Sequence, residues 1–85
     1  MPYKIVVPDR VQKQIDALPC TIWQRVRSAI DRLEVDPRPH TAIKMKGSSE
    51  SWRIRVGDHR IIYTIEDDQL VVLIVKVGNR REVYR

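Results

Sequence analysis

Residues 51–65 read SWRIRVGDHRIIYTI. On both sides of Gly57-Asp58 apolar and polar side chains alternate, which is the period of a strand. Glycine readily takes positive φ, so Gly57-Asp58 suits a two-residue hairpin turn. That turn makes the register calculable: Val56 opposite His59, Arg55 opposite Arg60, Ile54 opposite Ile61, Arg53 opposite Ile62, Trp52 opposite Tyr63. Trp52, Ile54, Val56, Ile61, Tyr63 and Ile65 then share the expected core face. Arg53, Arg55 and Arg60 fall together on the other.

Like charges directly opposite one another destabilise a sheet by about 0.2–1 kcal/mol, and threonine would avoid that penalty. Three converging guanidinium groups therefore point to a preorganised anion site. The plainer reading pairs each arginine with a carboxylate, for which Glu50 and Glu82 are at hand.

Outward from the hairpin, the chain gives one short strand, two helices and further strands. YKIVV at 3–7 is an apolar strand closed by Pro8. From Pro8, Val11, Ile15 and Leu18 recur at helical spacing, with Asp9 placed to complement the helix dipole. Pro19 ends that helix. A second is expected from an N-cap at Thr21 to about Asp36, with Trp23, Val26, Ile30 and Leu33 as its apolar stripe. After a loop with Pro37, Pro39 and His40, AIKMKG at 42–47 alternates as a strand, SSES makes a turn, and strands follow at about 52–56, 59–66 and 69–77. Short connections make the last four an antiparallel meander. The expected fold is α+β, β-α-α-β-β-β-β, an antiparallel sheet with a two-helix hairpin packed on one face, within one domain over 1–85.

Of the 85 residues, 16 are Lys or Arg and 11 are Asp or Glu, a net charge of +5. Residues 43–85 hold nine of the basic side chains, six of them arginines, which suit bidentate phosphate contacts. A polyanionic partner or a merely solvated basic surface both fit that balance. No apolar run reaches the about 18 residues of a membrane span, no leader pattern opens the chain, and a cytoplasmic location is expected. The lone Cys20 excludes an internal disulfide, and it reads as a packed residue between two helices. Trp23 and Trp52 read as core. His40 and His59 do not read as a catalytic pair, because His59 falls on the core side of the sheet and His40 in the loop.

An expected tight turn at Asp67-Asp68 brings Val75 beside Arg60, so VGNRREVYR at 77–85 leaves the sheet near the arginines. That ending supplies Arg80, Arg81 and Tyr84. A tyrosine beside several cations has its phenolate favoured; simple packing of Tyr84 on the sheet is the other reading.

The helix hairpin, KMKG, WRIRVGDHRIIYTI, a valine-rich strand and VGNRREVY together resemble the RelE-type toxins of bacterial and archaeal type II toxin–antitoxin pairs. The resemblance covers nearly the whole chain. It implies an endoribonuclease that enters the ribosomal A site and cuts the mRNA there, without metal or cofactor, by attack of the substrate's 2′-hydroxyl on the adjacent phosphate. It places catalytic roles on Arg53, Arg55, Arg60, Arg80 and Tyr84: Arg60 and Arg80 on the scissile phosphate, Tyr84 as base or stacking platform, Arg53 and Arg55 in electrostatic support. Lys44, Lys46 and Arg81 would meet neighbouring phosphates or ribosomal RNA. A RelB-like antitoxin, acidic where it wraps the basic face, would be the partner beside ribosome and mRNA. The best-known branch has lysines where this chain has Arg53 and Arg55, so a proton-transfer role is not carried over to them.

Two other classes share the fold or the charge. ParE-type toxins inhibit DNA gyrase and need not retain the arginine cluster and terminal tyrosine. A non-catalytic nucleic-acid or partner-binding module would use the same basic face without chemistry.

Overall fold

The computed structural model describes residues 2–45 and 51–79. The elements are β1 (Lys4–Val6), α1 (Asp9–Asp16), α2 (Cys20–Arg32), β2 (Ile43–Lys44), β3 (Ser51–Val56), β4 (His59–Glu66) and β5 (Val71–Asn79). Their order is the expected one. The sheet runs β1-β5-β4-β3-β2, with β2 to β5 an antiparallel meander. β1 adds alongside β5 in parallel, Lys4 opposite Val71 and Val6 opposite Leu73, so the five-stranded sheet is mixed. The helical hairpin carries the chain from β1 at one edge of the sheet to β2 at the other, and the meander returns it to β5 beside β1.

α1 starts on Pro8, which is extended at φ −60° and ψ 154° and whose carbonyl accepts from the amides of Val11 and Gln12. Asp9 and Lys13 complement the two ends of its dipole. α2 starts on Pro19 rather than Thr21: the Pro19 carbonyl accepts from Trp23 N at 2.8 Å, which puts Thr21 inside the first turn. Proline has no amide to leave unsatisfied and its fixed φ leads into the helix, so it displaces threonine from the cap position. The helix closes at Arg32, short of Asp36, because Leu33, Glu34 and Val35 donate to the carbonyls three residues back and tighten the last turn.

Both helices lie on one face of the sheet. Val11 and Ile15 of α1 and Val26 and Ile30 of α2, with Leu33, pack against Ile54, Val56, Ile61, Tyr63, Ile65, Val72, Ile74 and Val77. Trp23 and Trp52 are half-buried at the margin of this core. The Trp23 indole N–H reaches Asp16 Oδ1 at 3.2 Å. Among the described residues no helix is long and apolar enough to cross a membrane.

The far end of the sheet is closed by a charge network. Arg38 donates to both carboxylate oxygens of Asp67 (3.2 and 2.7 Å), the Tyr3 hydroxyl donates to the same carboxylate at 2.8 Å, and the Arg38 guanidinium lies 5.7 Å from the Trp52 ring centre. These hydrogen bonds hold the Asp67 carboxyl below its usual range.

Tyr63 is fully buried, and its hydroxyl donates to the Pro37 carbonyl at 2.8 Å, tying β4 to the loop after α2. Burial pushes this phenol up to about 12. Tyr63→Phe strands the Pro37 carbonyl and is expected to lower stability by about 1–2 kcal/mol at pH 7, read by urea denaturation. Above pH 10 the unfolded chain loses its phenolic proton while the folded chain keeps it until about pH 12. The wild type therefore loses stability across that window, and the loss should be smaller in Tyr63→Phe.

Candidate anion site

The β3–β4 register is the one derived from the turn: Arg55 opposite Arg60, Ile54 opposite Ile61, Arg53 opposite Ile62, Trp52 opposite Tyr63. Gly57 has φ +59° and Asp58 does not share the positive sign, the pattern of a type II′ turn with glycine first. Ile54, Ile61 and Tyr63 enter the core, so the arginines project from the opposite, helix-free face.

There they line a cleft of about 130 Å³. Arg53, Arg55 and Arg60 form its charged side; β2 brings Ile43 opposite Arg53, and Thr41 completes the wall. Arg55 Nε donates to the Gly57 carbonyl at 2.9 Å, anchoring that guanidinium to the turn and leaving its terminal nitrogens to other partners. Arg53 and Arg60 are half-buried and engage other groups of the protein. Three guanidinium groups around so small a volume fit one tetrahedral oxyanion, whose oxygens accept forked N–H donors.

The turn between β4 and β5 differs from the expected two residues, and the correction bears on the site. Asp67, Asp68, Gln69 and Leu70 all lie in the turn, with Leu70 at φ 55° and its carbonyl bound by Lys4 N at 2.7 Å. Glu66 therefore pairs with Val71, and a bulge between Ile62 and Tyr63 leaves Val75 as an extra residue on β5. The two extra turn residues and the one bulged residue shift the partner of Arg60 from Val75 to Gly78. Tight turn chemistry favours positive φ residues such as glycine or asparagine, and Asp-Asp followed by Gln-Leu does not carry that signal.

The bulge has a second effect. Without it Lys76 would oppose Ile61 and face the helices; with it Lys76 opposes Ile62 and joins the arginine face. Beyond Leu73 no β1 residue pairs with β5, and α1 covers that stretch: Arg10 donates to the Val75 carbonyl at 3.4 Å and Gln14 Oε1 accepts from Val77 N at 2.9 Å. The sequence gives no sign that Lys76 shares the arginine face, because a bulge leaves no local trace in the run LVVLIV. Thr41, just before β2, likewise carries no signal of a site residue in the sequence.

Lys44 pairs with Trp52 and so lies on the helix side, at the sheet margin, apart from the cleft. Arg80, Arg81, Tyr84 and Lys46, with the carboxylates Glu50 and Glu82, lie outside the described residues. Asn79, the residue before Arg80, is opposite His59, one position from Arg60. His59 is on the core side, with Nδ1 buried and without a hydrogen-bond partner, and His40 is exposed in the loop. Cys20 is exposed at the start of α2 and so is not the packed residue expected. The reason is the earlier helix start, which places Cys20 in the first turn. Among the described residues no group of three His, Cys, Asp or Glu side chains comes together.

The facing arginines predict a trade between stability and binding. Arg55→Thr is expected to raise stability by about 0.2–1 kcal/mol in urea unfolding, since it removes one of two like charges from a directly opposed pair. Millimolar inorganic phosphate should raise the unfolding midpoint of the wild type more than that of the variant. Equal shifts in both would mean that the cleft takes no anion.

Residues 5–84 match the family described as the ParE toxin of type II toxin–antitoxin systems, parDE. A chain of Methanocaldococcus jannaschii named RelE1 is 27% identical, covering 100% of this chain and 98% of its own. The mRNA interferase toxin RelE of Escherichia coli K12 is 26% identical, covering 99% of this chain and 92% of its own. Among solved structures, the archaeal RelE–RelB complex from Pyrococcus horikoshii matches with a TM-score of 0.83 at 30% identity, over 94% of this chain and 97% of that one. With four-fifths or more of both partners aligned in each case, the chain belongs to the ParE toxin family of type II toxin–antitoxin systems and is a RelE-type toxin of the RelE/ParE superfamily.

Proposed function

We propose that this toxin is a ribosome-dependent endoribonuclease that cuts mRNA in the A site. The observation that carries the reading is the cleft of about 130 Å³ walled by Arg53, Arg55 and Arg60 on the helix-free face. The relative from E. coli is named an mRNA interferase, which supports the same activity at 26% identity.

In this mechanism the substrate brings its own nucleophile. Its 2′-hydroxyl gives up a proton and attacks the adjacent phosphorus, the bond from phosphorus to the 5′-oxygen breaks, and that oxygen takes a proton. The products are a 2′,3′-cyclic phosphate and a 5′-hydroxyl, with no oxidation or reduction and no step that calls for a metal. Negative charge builds on the phosphorane oxygens, and preaimed guanidinium groups stabilise that charge most where water is scarce. Arg60 takes the scissile phosphate together with Arg80, and Arg53 and Arg55 add field from the flank. Tyr84 acts as base or stacking platform; it follows Asn79 by five residues, a span of at most about 18 Å. Lys44, Lys46 and Arg81 meet neighbouring RNA. A cytoplasmic location follows from the target.

The partner is an antitoxin related to RelB, since a solved relative is a RelE–RelB complex. Its wrapping segment would be acidic to match the net charge of +5. The competing reading is gyrase inhibition, favoured by the family's ParE designation.

The two separate in one experiment. Purified toxin is added to a translating extract, and mRNA 5′ ends are mapped by primer extension beside Arg60→Ala. In-frame cuts within codons, absent from naked RNA and reduced about 10²–10³-fold in the variant, are expected. Arrested supercoiling by gyrase with intact mRNA would overturn the nuclease.

A further inference from the structure

A second basic cavity lies on the other side of the β3–β4 turn from most of the cleft. It is a groove of about 470 Å³ between α2 and the end of β3, with Arg25, Ser28, Ala29 and Arg32 on the helix side and Arg55 and Val56 on the sheet side. Positions 25, 28, 29 and 32 fall on one helical stripe. That stripe flanks the apolar Val26 and Ile30, which hold the helix against the sheet. The small Ala29 and the buried Val56 make the floor, and the exposed guanidinium groups of Arg25 and Arg32 make the rim.

Three observations give the groove its character. First, Arg25 and Arg32 form no ion pair among the described residues, whereas Arg27 on the same helix reaches Asp31 at 3.9 Å and Arg38 is doubly bound to Asp67. Second, none of the groove's described lining residues is a carboxylate, so its described lining is uniformly basic or neutral. Third, Arg55 lines both the groove and the cleft. Arg25 closes the same gap from above, with a terminal nitrogen 3.5 Å from where a Cβ on Gly57 would stand. Groove and cleft therefore share one wall and one turn.

We infer that the α2–β3 groove is a second phosphate subsite, holding backbone phosphates of the RNA strand that flank the one in the Arg53–Arg55–Arg60 cleft. This rests on the reading of that cleft as the scissile-phosphate site. An acidic protein segment would carry the right charge, but protein partners anchor through buried aromatic or aliphatic side chains in apolar pockets. The groove offers those only a shallow floor of Ala29 and Val56, ringed by arginine and serine. Guanidinium forks with a serine hydroxyl are the donor set for phosphate oxygens. Because the groove reads backbone and no base edge, it adds affinity without adding sequence preference.

The test is fluorescence anisotropy of the full chain with a short 2′-O-methyl oligoribonucleotide, which has no free 2′-hydroxyl to attack, over a salt series. Arg25→Gln/Arg32→Gln is compared with Lys4→Gln/Lys13→Gln, which removes the same charge from β1 and α1 far from the groove. The groove variant is expected to bind about tenfold more weakly at low salt, with a salt slope shallower by about 0.7–1.4. The control variant should keep nearly the wild-type slope. Glutamine preserves helix propensity at exposed sites, and an unchanged thermal midpoint checks that both variants fold. Equal slopes in the two variants overturn the subsite, as does a wild type that binds no oligonucleotide at low salt. A poly-glutamate peptide that binds more tightly than the oligonucleotide and is lost only in the groove variant overturns RNA as the occupant. Because the probe cannot be cut, a chain that binds through the groove but cleaves no mRNA loses only the nuclease; a chain that cleaves mRNA with the groove removed and unaltered binding loses only the subsite.

Discussion

The register between β3 and β4 is the constraint on which the other features of this protein depend. In a strand the side chains alternate with period 2, so a slip of one residue would exchange the two faces of a strand. Here that exchange would drive Arg53 and Arg55, or Arg60, under the helices and expel Ile54, Ile61 and Tyr63. Burying an unpaired guanidinium is far more costly than the about 0.2–1 kcal/mol lost by facing Arg55 with Arg60. The arginine pair thus penalises its own native register slightly and every neighbouring register heavily. Gly57, at φ +59°, supplies the turn that lets the strands meet in this way.

Charge is handled differently at the two ends of β4. Near Glu66, Arg38 and Asp67 satisfy one another, with Tyr3 and Trp52 completing the cluster, and the network ties β1, the loop after α2 and the β4–β5 turn together. Near His59, arginines from β3, β4 and α2 gather around two cavities, with no carboxylate among the described residues of either lining. The first arrangement ties distant elements together, and the second concentrates positive charge at one end of the sheet.

The two-helix hairpin makes this division possible. It lies on one face only, gives that face its apolar cover and leaves the opposite face to the arginines. The Val75 bulge refines the result by turning Lys76 toward the arginine side, and α1 steadies the bulge through Arg10 and Gln14. Bulges recur beside functional sites because they re-aim a side chain without breaking the sheet. The toxin family to which the chain belongs fits a surface arranged in this way.

The sequence by itself determined the element order, the helix stripes, the β3–β4 pairing and the gathering of Arg53, Arg55 and Arg60, because each follows from local periodicity and one glycine turn. It also carried the family resemblance in RVGDHRIIY and VGNRREVY. Tertiary structure alone decided the parallel seat of β1 beside β5, the four-residue turn before β5, and the bulge that sets Gly78 beside Arg60 and Lys76 on its face. It also decided that Arg25 and Arg32, visible only as the outer side of an amphipathic helix, meet Arg55 across a groove. Those features depend on contacts between residues distant in the chain, and hydrophobic period says which face is buried without saying which neighbour stands beside it.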